Sequence, residues 1–571
     1  MAYRWSIASP LTEQADRWSR ELIISPLLAQ CLLNRGINQL SVAQQFLQPQ
    51  LNQLEDPFHI PDMEKAVELM YRYRETKRPL VIFGDYDVDG VTSTTLLLQI
   101  LNELGWDARY HLPQRLDDGY GLSQEAAQSC LEKTGAKLLL AVDCGSTASE
   151  VIDWMRDEGV EVIVLDHHQI ASPRPNANAL VNPRVDDSAA AHFTELCSAG
   201  LAFKLAHALV REGRKRGEEA AEKQDIRGFL DLVALGTIAD LAPLKAENRI
   251  LVSAGLKYLT ITKRPGLVAL KKVSKVADKV GVFETGFLLS PRLNAAGRLE
   301  NANEALKLLM ADDWAEGESL AHDLDACNRE RQDIERNIAE EAVQEVDKHF
   351  NPDDDFVIVE GKQFWHVGVI GIVASRVLRQ FYRPTFIIGG EGNELRGSGR
   401  SIEGFDLAAA LRKCDDLLIR HGGHAMAAGI SIHPDRIDDF RIRMNELARA
   451  SLPKEFLRPS VRIDSEISLT DLTLERILEL ERLEPVGADN PPVQLMTKNV
   501  RFASAPRRIG KDNRHLKAMV TDGQTTLEAI WWNADGYEIP SGRFHLAFTP
   551  QMNRFHNRTR VQLKWIDWQP A

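Results

Sequence analysis

Short apolar runs alternate with segments of helical periodicity across residues 79–181 of this 571-residue chain. The runs are four to six residues long and rich in Leu, Val and Ile, as buried strands are, whereas the segments between them space apolar residues three and four positions apart. The predicted strands are 80–83, 108–112, 138–142 and 160–165, and the predicted helices are 92–104, 123–134 and 149–158. This alternation predicts βαβ units and an α/β domain with a mostly parallel sheet.

The pattern changes twice further along the chain. Residues 312–349 place apolar side chains at helical spacing on an acidic background, which predicts a long helix that joins two lobes. A second α/β segment follows, and after Pro459 short alternating strands broken by turns indicate a small all-β barrel. The predicted parts are an N-terminal helical region (1–75), the parallel-sheet domain (76–310), the connecting helix (311–350), a second α/β domain (351–455) and the barrel (456–571).

Composition narrows the class of protein. The apolar runs are far shorter than the ~20 residues of a membrane helix, and the N-terminus lacks the pattern of a secretory signal. The six cysteines are scattered and form no C-x-x-C pair, so they are expected to be reduced thiols rather than disulfides or zinc ligands. We therefore expect a cytoplasmic protein with no membrane partner.

The net charge of −13 at first argues against a nucleic-acid partner. However, carboxylates that surround metal ions are neutralised when the ions bind. The charge is also uneven, because residues 501–571 contain eleven Lys and Arg against six Asp and Glu. The acidic balance therefore does not exclude a basic track for nucleic acid in the last domain.

Acidic and histidine residues follow three of the predicted strands. They lie in the segments DYDVDG at 85–90, VDCG at 142–145 and DHH at 166–168, and Asp240 follows a further apolar stretch in GTIAD at 236–240. The carboxyl ends of parallel strands face the crevice where open α/β sheets bind ligands. Carboxylate and imidazole ligands together suit Mg²⁺ or Mn²⁺, so the sequence predicts a divalent metal site at this edge.

Two simpler interpretations of these acids are weaker. An EF-hand begins with D-x-D-x-D-G, but it needs a preceding helix and a glutamate at loop position twelve, where this chain has Leu96. Any one aspartate, such as Asp143, could simply cap a helix or end a strand. Several buried carboxylates at successive strand ends would repel one another unless cations lay among them, so their co-occurrence favours the metal site.

The ordered motifs resemble those of the DHH phosphoesterase superfamily. RGSGRS at 396–401 and the glycine-rich GGHAMAAG at 422–429 are similar to its associated DHHA1 domain. HLPQR at 111–115, SPRLNAAGR at 290–298 and the terminal β domain extend the likeness over nearly the whole chain, to the RecJ family of exonucleases within that superfamily. The resemblance implies a DHH domain with a parallel sheet, a DHHA1 domain and a C-terminal OB-like barrel.

The resemblance also implies a centre of two divalent cations, Mn²⁺ or Mg²⁺. Its expected ligands are Asp85, Asp87, Asp89, Asp143, His167 and Asp240, with Asp143 bridging the two ions. Asp166 is expected to orient His167 through its other ring nitrogen or the local backbone. His168 is expected to meet the scissile phosphate. The catalytic residues implied are therefore His168, Asp143 and Asp166.

A free strand end presents a terminal phosphate, which favours arginine and hydroxyl ligands. The candidates for substrate binding are Arg115, Arg298, Ser398, Arg400 and His424. A structural ion pair is the alternative for Arg298, and a satisfied structural histidine is the alternative for His424. In the barrel, Trp531 and Trp532 are adjacent in a predicted strand, so one ring should point inward and the other outward, where it could stack on a base.

The function implied is a 5′→3′ exonuclease that degrades single-stranded DNA by two-metal-ion hydrolysis, in DNA recombination and repair, including mismatch repair. The implied partners are single-stranded DNA, a single-strand-binding protein and a RecQ-type helicase, and the protein is expected to be a monomer. Two alternatives remain open. One is a DHH phosphodiesterase for short oligonucleotides or cyclic dinucleotides, and the other is a non-catalytic replication scaffold with the same fold.

Overall fold

A computed structural model of the protein describes residues 3–113, 121–185, 192–276, 279–299, 301–555 and 558–571. The chain forms two compact units. The terminal unit comprises Met1–Asn38, Glu330–Arg482 and Pro492–Ala571, and the central unit comprises Gln39–Arg329 and Leu483–Pro491. Within the described ranges, no helix is both long enough and apolar enough to cross a lipid bilayer.

The N-terminal region is mostly helical, as expected, but it begins with a strand that the sequence did not reveal. Its elements are β1 (Arg4–Ile7), α1 (Thr12–Leu22), α2 (Pro26–Asn34), α3 (Leu40–Leu47) and α4 (Met63–Glu75). β1 pairs in parallel with Ser460–Ile463, and Trp5 Nε1 donates a hydrogen bond to Asp567 Oδ2 at 2.8 Å. The first residues therefore belong to the same unit as the C-terminal residues.

The central unit contains the predicted parallel sheet. Its elements are β2 (Leu80–Gly84), α5 (Val88–Glu103), β3 (Ala108–His111), α6 (Gln124–Thr134), β4 (Leu138–Val142), α7 (Ser149–Asp157), β5 (Glu161–Leu165) and β6 (Ala179–Val181). The strand order is β3-β2-β4-β5-β6, and every pairing is parallel. Gly84, Val142 and Leu165 are in register, so β2, β4 and β5 end level at one edge.

Helices cover both faces of this sheet, so its strands are buried on both sides. The following helices are α8 (Ser198–Lys215), α9 (Glu219–Lys223), α10 (Leu230–Ala239), α11 (Ala246–Thr260), α12 (Pro265–Val273), α13 (Ser290–Leu299) and α14 (Asn303–Met310). α5, α8 and α10 pack against one another, and almost every residue of α10 is buried. A π-helical segment, Glu284–Leu289, leads directly into α13.

The long helix expected over 311–350 is α15 (Trp314–His349), and the boundary between the two units falls inside it, after Arg329. The second α/β region follows as β7 (Ile358–Gly361), α16 (Ile370–Phe381), β8 (Thr385–Gly389), β9 (Leu395–Arg400), α17 (Leu407–Leu411), β10 (Arg420–Gly423), β11 (Ala427–Ile432) and α18 (Ile437–Ser451). Its sheet order is β10-β11-β9-β8-β7; β7 and β8 are parallel and the other pairs are antiparallel.

The last region is the expected all-β domain. Its elements are β12 (Ser460–Ile463), β13 (Ser465–Glu466), α19 (Leu474–Leu480), β14 (Leu495–Phe502), β15 (Arg507–Ile509), β16 (His515–Thr521), β17 (Thr526–Trp531), β18 (Phe544–Phe555) and β19 (Arg558–Pro570). Pairing of β14 with both β18 and β16 closes the sheet on itself. Trp531 is buried against Trp565, with ring centroids 5.0 Å apart, whereas Trp532 is 47% exposed, which confirms the prediction that the two rings point to opposite sides.

Candidate functional site

The loop after β2 brings three aspartates to the edge of the parallel sheet. Asp87 caps α5, and its Oδ1 atom accepts hydrogen bonds from the N–H groups of Asp89 (2.9 Å) and Gly90 (3.1 Å). The turn requires glycine at position 90, because a Cβ atom there would lie 2.5 Å from the carbonyl oxygen of Asp85. Asp85 and Asp89 are buried, so the loop holds two carboxylates away from solvent.

Asp143 follows β4 and is held in a strained conformation. Its φ of 63° lies in the left-handed region, which a non-glycine residue adopts at a cost. The backbone N–H of Asp143 donates to the carbonyl oxygen of Leu165 at 3.1 Å, and Ser198 Oγ donates to Asp143 Oδ1 at 2.9 Å. Burial, and then the carboxylates of Asp89 and Asp87, raise the pKa of Asp143 well above its usual value.

The carboxylates of Asp89 and Asp240 both lie at helix ends. Asp89 accepts hydrogen bonds of 2.8 Å from the backbone N–H groups of Ser198 and Ala199, at the start of α8. Burial and the neighbouring Asp87 raise the pKa of Asp89 to about 6. Asp240 follows the last residue of α10, and burial together with Asp89 raises its pKa to about 8. These carboxylates therefore repel one another when all are ionised.

His167 is directed into this group of acids. Its Nε2 atom lies 3.4 Å from Asp143 Oδ1, 3.9 Å from Asp89 Oδ2 and 3.9 Å from Asp240 Oδ2. Burial, and then the neighbouring His168, lower the pKa of His167 to about 4, so its imidazole is neutral near pH 7. Nε2 is buried and has no hydrogen-bond partner among the described residues. A neutral ring nitrogen that points at three crowded carboxylates is suited to a metal ion.

His168 differs from His167 because Asp166 supports its ring. Asp166 Oδ1 lies 2.7 Å from His168 Nδ1, and its two carboxylate oxygens also accept from the backbone N–H groups of His167 (2.8 Å) and Ser146 (3.0 Å). Burial opposes ionisation of Asp166, but His168 and these other contacts outweigh it and lower the pKa of Asp166. Burial likewise disfavours the charged form of His168, but Asp166 raises its pKa to about 9.

Asp166 therefore orients the ring of His168, and it reaches His167 through the backbone. The predicted ligands fall into three overlapping groups, and within each group the possible ligand atoms lie within 4.8 Å of one another. The groups are Asp85, Asp87 and Asp143; Asp89, Cys197 and Asp240; and Asp143, Asp166, His167 and His168. All six carboxylate and imidazole ligands expected from the sequence thus lie at this edge. Cys197 was not expected, and burial raises the pKa of its thiol well above the usual value, so it remains protonated.

Two of the predicted phosphate-binding residues lie together in the terminal unit. Ser398 and Arg400 lie on the same face of β9, and Arg400 Nη1 donates to Ser398 Oγ at 2.9 Å. The first turn of α16 approaches them closely at Gly371, where a Cβ atom would lie 2.9 Å from Arg400 Nη2 and 3.0 Å from Ser398 Oγ. A guanidinium, a hydroxyl and a helix N-terminus are together suited to a phosphate.

The other candidates for phosphate binding come from different parts of the chain. His424 lies in the turn between β10 and β11, where its backbone N–H donates to the carbonyl oxygen of Ala427 at 2.8 Å. The residue is exposed, so it is not a buried structural histidine. Arg298 is half-buried on α13 of the central unit. Arg115 lies outside the described residues.

Family models match three regions of the chain. They are the DHH family, N-terminal domain (residues 79–237), the DHHA1 domain (354–450) and the RecJ OB domain (463–567). The single-stranded-DNA-specific exonuclease RecJ of Bacillus subtilis is 36% identical over 566 residues, which cover 98% of this chain and 70% of the relative. The enzyme of the same name from Escherichia coli is 35% identical over 562 residues, covering 95% of each chain. This chain belongs to the RecJ family.

Solved structures of the RecJ family agree with this assignment. The crystal structure of RecJ from Thermus thermophilus in complex with Mn²⁺ matches all of this chain and 80% of its own, with 28% identity and a TM-score of 0.84. A Mg²⁺ complex of RecJ from the same organism matches with 27% identity and a TM-score of 0.77. The predicted α/β fold with DHHA1 and OB domains is confirmed.

Some residues of the site could not be identified from the sequence. Ser198, which donates to Asp143, and Asn294, whose Oδ1 accepts from the N–H of Val88 at 3.2 Å, both lie far along the chain from the residues they support. Ser198 stands in an ordinary helix start, so only the packing of α8 reveals its role. Asn294 lies in the motif SPRLNAAGR, which marked the segment for the RecJ family but gave no contact.

Proposed function

We propose that this protein is a metal-dependent exonuclease that degrades single-stranded DNA in the 5′→3′ direction, in DNA recombination and repair, including mismatch repair. The observation that carries the proposal is the neutral imidazole of His167 directed at Asp89, Asp143 and Asp240, in a chain of the RecJ family. Single-stranded DNA is the substrate. A single-strand-binding protein and a RecQ-type helicase are its proposed partners, and the enzyme acts as a monomer in the cytoplasm.

Two divalent cations, Mn²⁺ or Mg²⁺, fit the donor set. Asp85, Asp87 and Asp143 would hold one ion, and Asp89, Asp143, His167 and Asp240 would hold the other. The raised pKa values of Asp89 and Asp240 support this, because the protein has buried carboxylates without balancing their charge itself. When bound, such a pair of ions activates a water molecule and stabilises the attacking and departing oxygens of an in-line displacement.

His168 contributes through its protonated ring. With Asp166 ionised and fixed on Nδ1, the imidazolium keeps its second proton on Nε2, on the side of the ring away from Asp166. That proton is placed to be donated in a hydrogen bond to a non-bridging oxygen of the scissile phosphate, where negative charge increases during displacement. Asp166 therefore acts as a positioning residue for His168.

The backbone around the centre fixes the ligands before any substrate binds. Ser198 Oγ holds Asp143, the amides at the start of α8 hold both oxygens of Asp89, and the strained φ of Asp143 sets the direction of its carboxylate. Ligands that are fixed in this way need no reordering when ions bind.

Ser398, Arg400 and the first turn of α16 bind the 5′-terminal phosphate, with Arg115, Arg298 and His424 as further contacts to the strand. The close approach at Gly371 supports this, because any larger residue would push Arg400 and Ser398 out of place. The longer strand binds the OB domain. A cavity of about 680 Å³ there is lined in part by Lys517, Arg558 and Arg560, and Lys517 Nζ lies 2.6 Å from Glu528 Oε2, which also lines it.

The decisive experiment follows single-stranded DNA of about 40 nucleotides with a 5′-phosphate, labelled at either end, in the presence of Mn²⁺. We expect the 5′ label to appear in mononucleotides from the first time point, while the 3′ label stays in long products. An Asp143→Asn preparation controls for contaminating nucleases. A parallel reaction contains dinucleotides in place of the long strand. Preferential cleavage of the dinucleotides would favour the phosphodiesterase alternative, and the absence of release from either substrate would favour the scaffold.

A further inference from the structure

Two large aromatic side chains lie side by side on the surface of the central unit. Phe283 is 61% exposed and Phe287 is 67% exposed, and their rings stack with centroids 5.2 Å apart and planes inclined by 25°. Single exposed apolar residues are ordinary on protein surfaces. A stacked pair differs, because it presents one continuous apolar face to the solvent.

The backbone under this pair is unusual. Phe283 immediately precedes the π-helical segment Glu284–Leu289, which contains Phe287 and continues into α13. π-helical turns are rare and are frequently found at functional sites. The two phenylalanines are four positions apart, so successive helical turns bring their rings into contact outside the core.

The same segment contacts residues that neighbour proposed metal ligands. A Cβ atom at Gly286 would lie 3.5 Å from Ile238 Cγ2, and Ile238 stands two residues before the ligand Asp240. Further along, Asn294 Oδ1 accepts from the N–H of Val88, and Gly297 packs against the carbonyl oxygen of Tyr86. The segment from 283 to 299 thus contacts two of the four segments that supply proposed metal ligands.

We propose that the Phe283–Phe287 pair is a stacking platform for nucleobases of the strand whose phosphates enter the metal centre. This inference rests on the proposed function. The bases are the apolar part of single-stranded DNA, and every base offers a π face, so a stacking contact holds the strand without selecting its sequence. An exonuclease that must remove every nucleotide in turn needs a contact of that kind beside its reacting phosphate.

Leu241 is a further exposed apolar residue, and it lies beside a proposed metal ligand. It directly follows Asp240, is 75% exposed, and has a φ of 59°, in the left-handed region that a leucine rarely adopts. Such strain persists where the surrounding structure enforces it and is concentrated at functional sites. The end of α10 therefore exposes an apolar side chain next to a proposed ligand.

An abasic scan combined with protein variants tests the platform. Affinity is measured for 5′-phosphorylated strands in which one nucleotide at a time lacks its base, using Ca²⁺ in place of Mn²⁺ to suppress hydrolysis. For the unaltered enzyme, removal of one or two particular bases should weaken binding roughly 10-fold each. For F283A/F287A, the intact strand should bind as weakly as a strand that lacks those bases binds to the unaltered enzyme, and removal of the same bases should change its affinity less than 2-fold.

Three controls make the result specific. F283Y/F287Y keeps the rings and should restore the base dependence, whereas F364A removes a phenylalanine of the terminal unit that is 75% exposed and should leave the base dependence intact. A 2-aminopurine at the sensitive position should be quenched by the unaltered enzyme and not by F283A/F287A. If F283A/F287A weakens intact and abasic strands by the same factor, the platform is refuted; if the unaltered enzyme releases no nucleotides, the proposed function fails instead.

Discussion

The central unit buries two clusters of charged side chains, and it treats them in opposite ways. Lys204 Nζ donates at 2.8 Å to Glu247 Oε1 and at 2.8 Å to the carbonyl oxygen of Glu55, so a buried cation meets a buried anion. Arg249 donates to the carbonyl oxygens of Phe46 (2.7 Å) and Glu484 (2.8 Å). In this cluster the protein supplies the partners itself.

At the edge of the parallel sheet, the protein does not supply such partners for the acids. Across the part of the chain that the structure describes, Asp89, Asp143 and Asp240 form no ion pair with lysine or arginine, and their pKa values are all raised. A buried charge that the fold balances contributes to structure, whereas a set of like charges that the fold leaves unbalanced is neutralised by protons or by a bound cation. The comparison therefore separates structural from functional charges without reference to any relative.

The largest effect expected from this difference is on activity. Asp143→Asn should lower the rate of nucleotide release by roughly 10⁴-fold, equivalent to about 5.5 kcal/mol, because it removes the ligand shared by both ions. The metal-free variant should unfold at the same temperature as the parent or higher, because one repelling charge is gone. Asp153→Asn, an exposed acid on α7, is the matched control and should change neither value. A loss of thermal stability in Asp143→Asn would mean that the acids stabilise the fold after all.

For the cluster of Lys204 and Glu247, we expect a large loss of stability and little change in activity. Lys204→Met leaves Glu247 buried without its cation and should lower the free energy of unfolding by about 3–5 kcal/mol. The double variant K204M/E247Q should recover part of this loss because no buried charge remains unpaired. Urea unfolding gives the stability, and the rate per folded molecule at low temperature should stay near that of the parent. If the two single variants, Lys204→Met and Glu247→Gln, were additive in the double variant, the pair would carry no coupling.

The comparison also shows where sequence pattern suffices and where it does not. The strands and the acids after them could be predicted, because apolar runs and the parallel sheet together force successive strand ends to one edge. That Asp166 holds the ring of His168 rather than that of His167 could not be predicted, because it depends on which ring the turn after β5 directs at Asp166. Pairing of β1 with β12 joins residues more than 450 positions apart, which no local pattern can reveal.

An effect of intermediate size is expected in how the free energy of unfolding depends on pH, because the acids at the sheet edge titrate in the folded protein. In the unfolded chain aspartates titrate near pH 4, whereas the folded pKa values of Asp89 and Asp240 are about 6 and about 8. Their contribution is fully present below pH 4 and is lost as the pH rises through 6 and 8. With EDTA, the free energy of unfolding should fall by roughly 3 kcal/mol between pH 6 and 8.5.

Addition of Mn²⁺ should oppose this fall, so that the stabilisation by metal grows as the pH rises. Chemical denaturation at several pH values, with EDTA or Mn²⁺, measures the difference. Asp240→Asn should flatten the EDTA curve, since it removes the carboxylate whose pKa is about 8. A metal effect that is equal at pH 5 and pH 8.5 would mean that repulsion among these acids is not what the cations relieve.

The smallest expected effect concerns an arginine side chain in the terminal unit. Arg400→Ala should lower the preference for a 5′-phosphate over a 5′-hydroxyl by roughly 10-fold, about 1.4 kcal/mol, because one charge-assisted contact to the phosphate is lost. Gly371→Ala should lower it in the same direction, since the added methyl group would lie 2.9 Å from Arg400 Nη2. Arg396→Ala, an exposed arginine on the same strand, is the matched control and should leave the preference unchanged. Equal losses for Arg396→Ala and Arg400→Ala would indicate general attraction of charge to β9 rather than a phosphate site, because only Arg400 is held against Ser398.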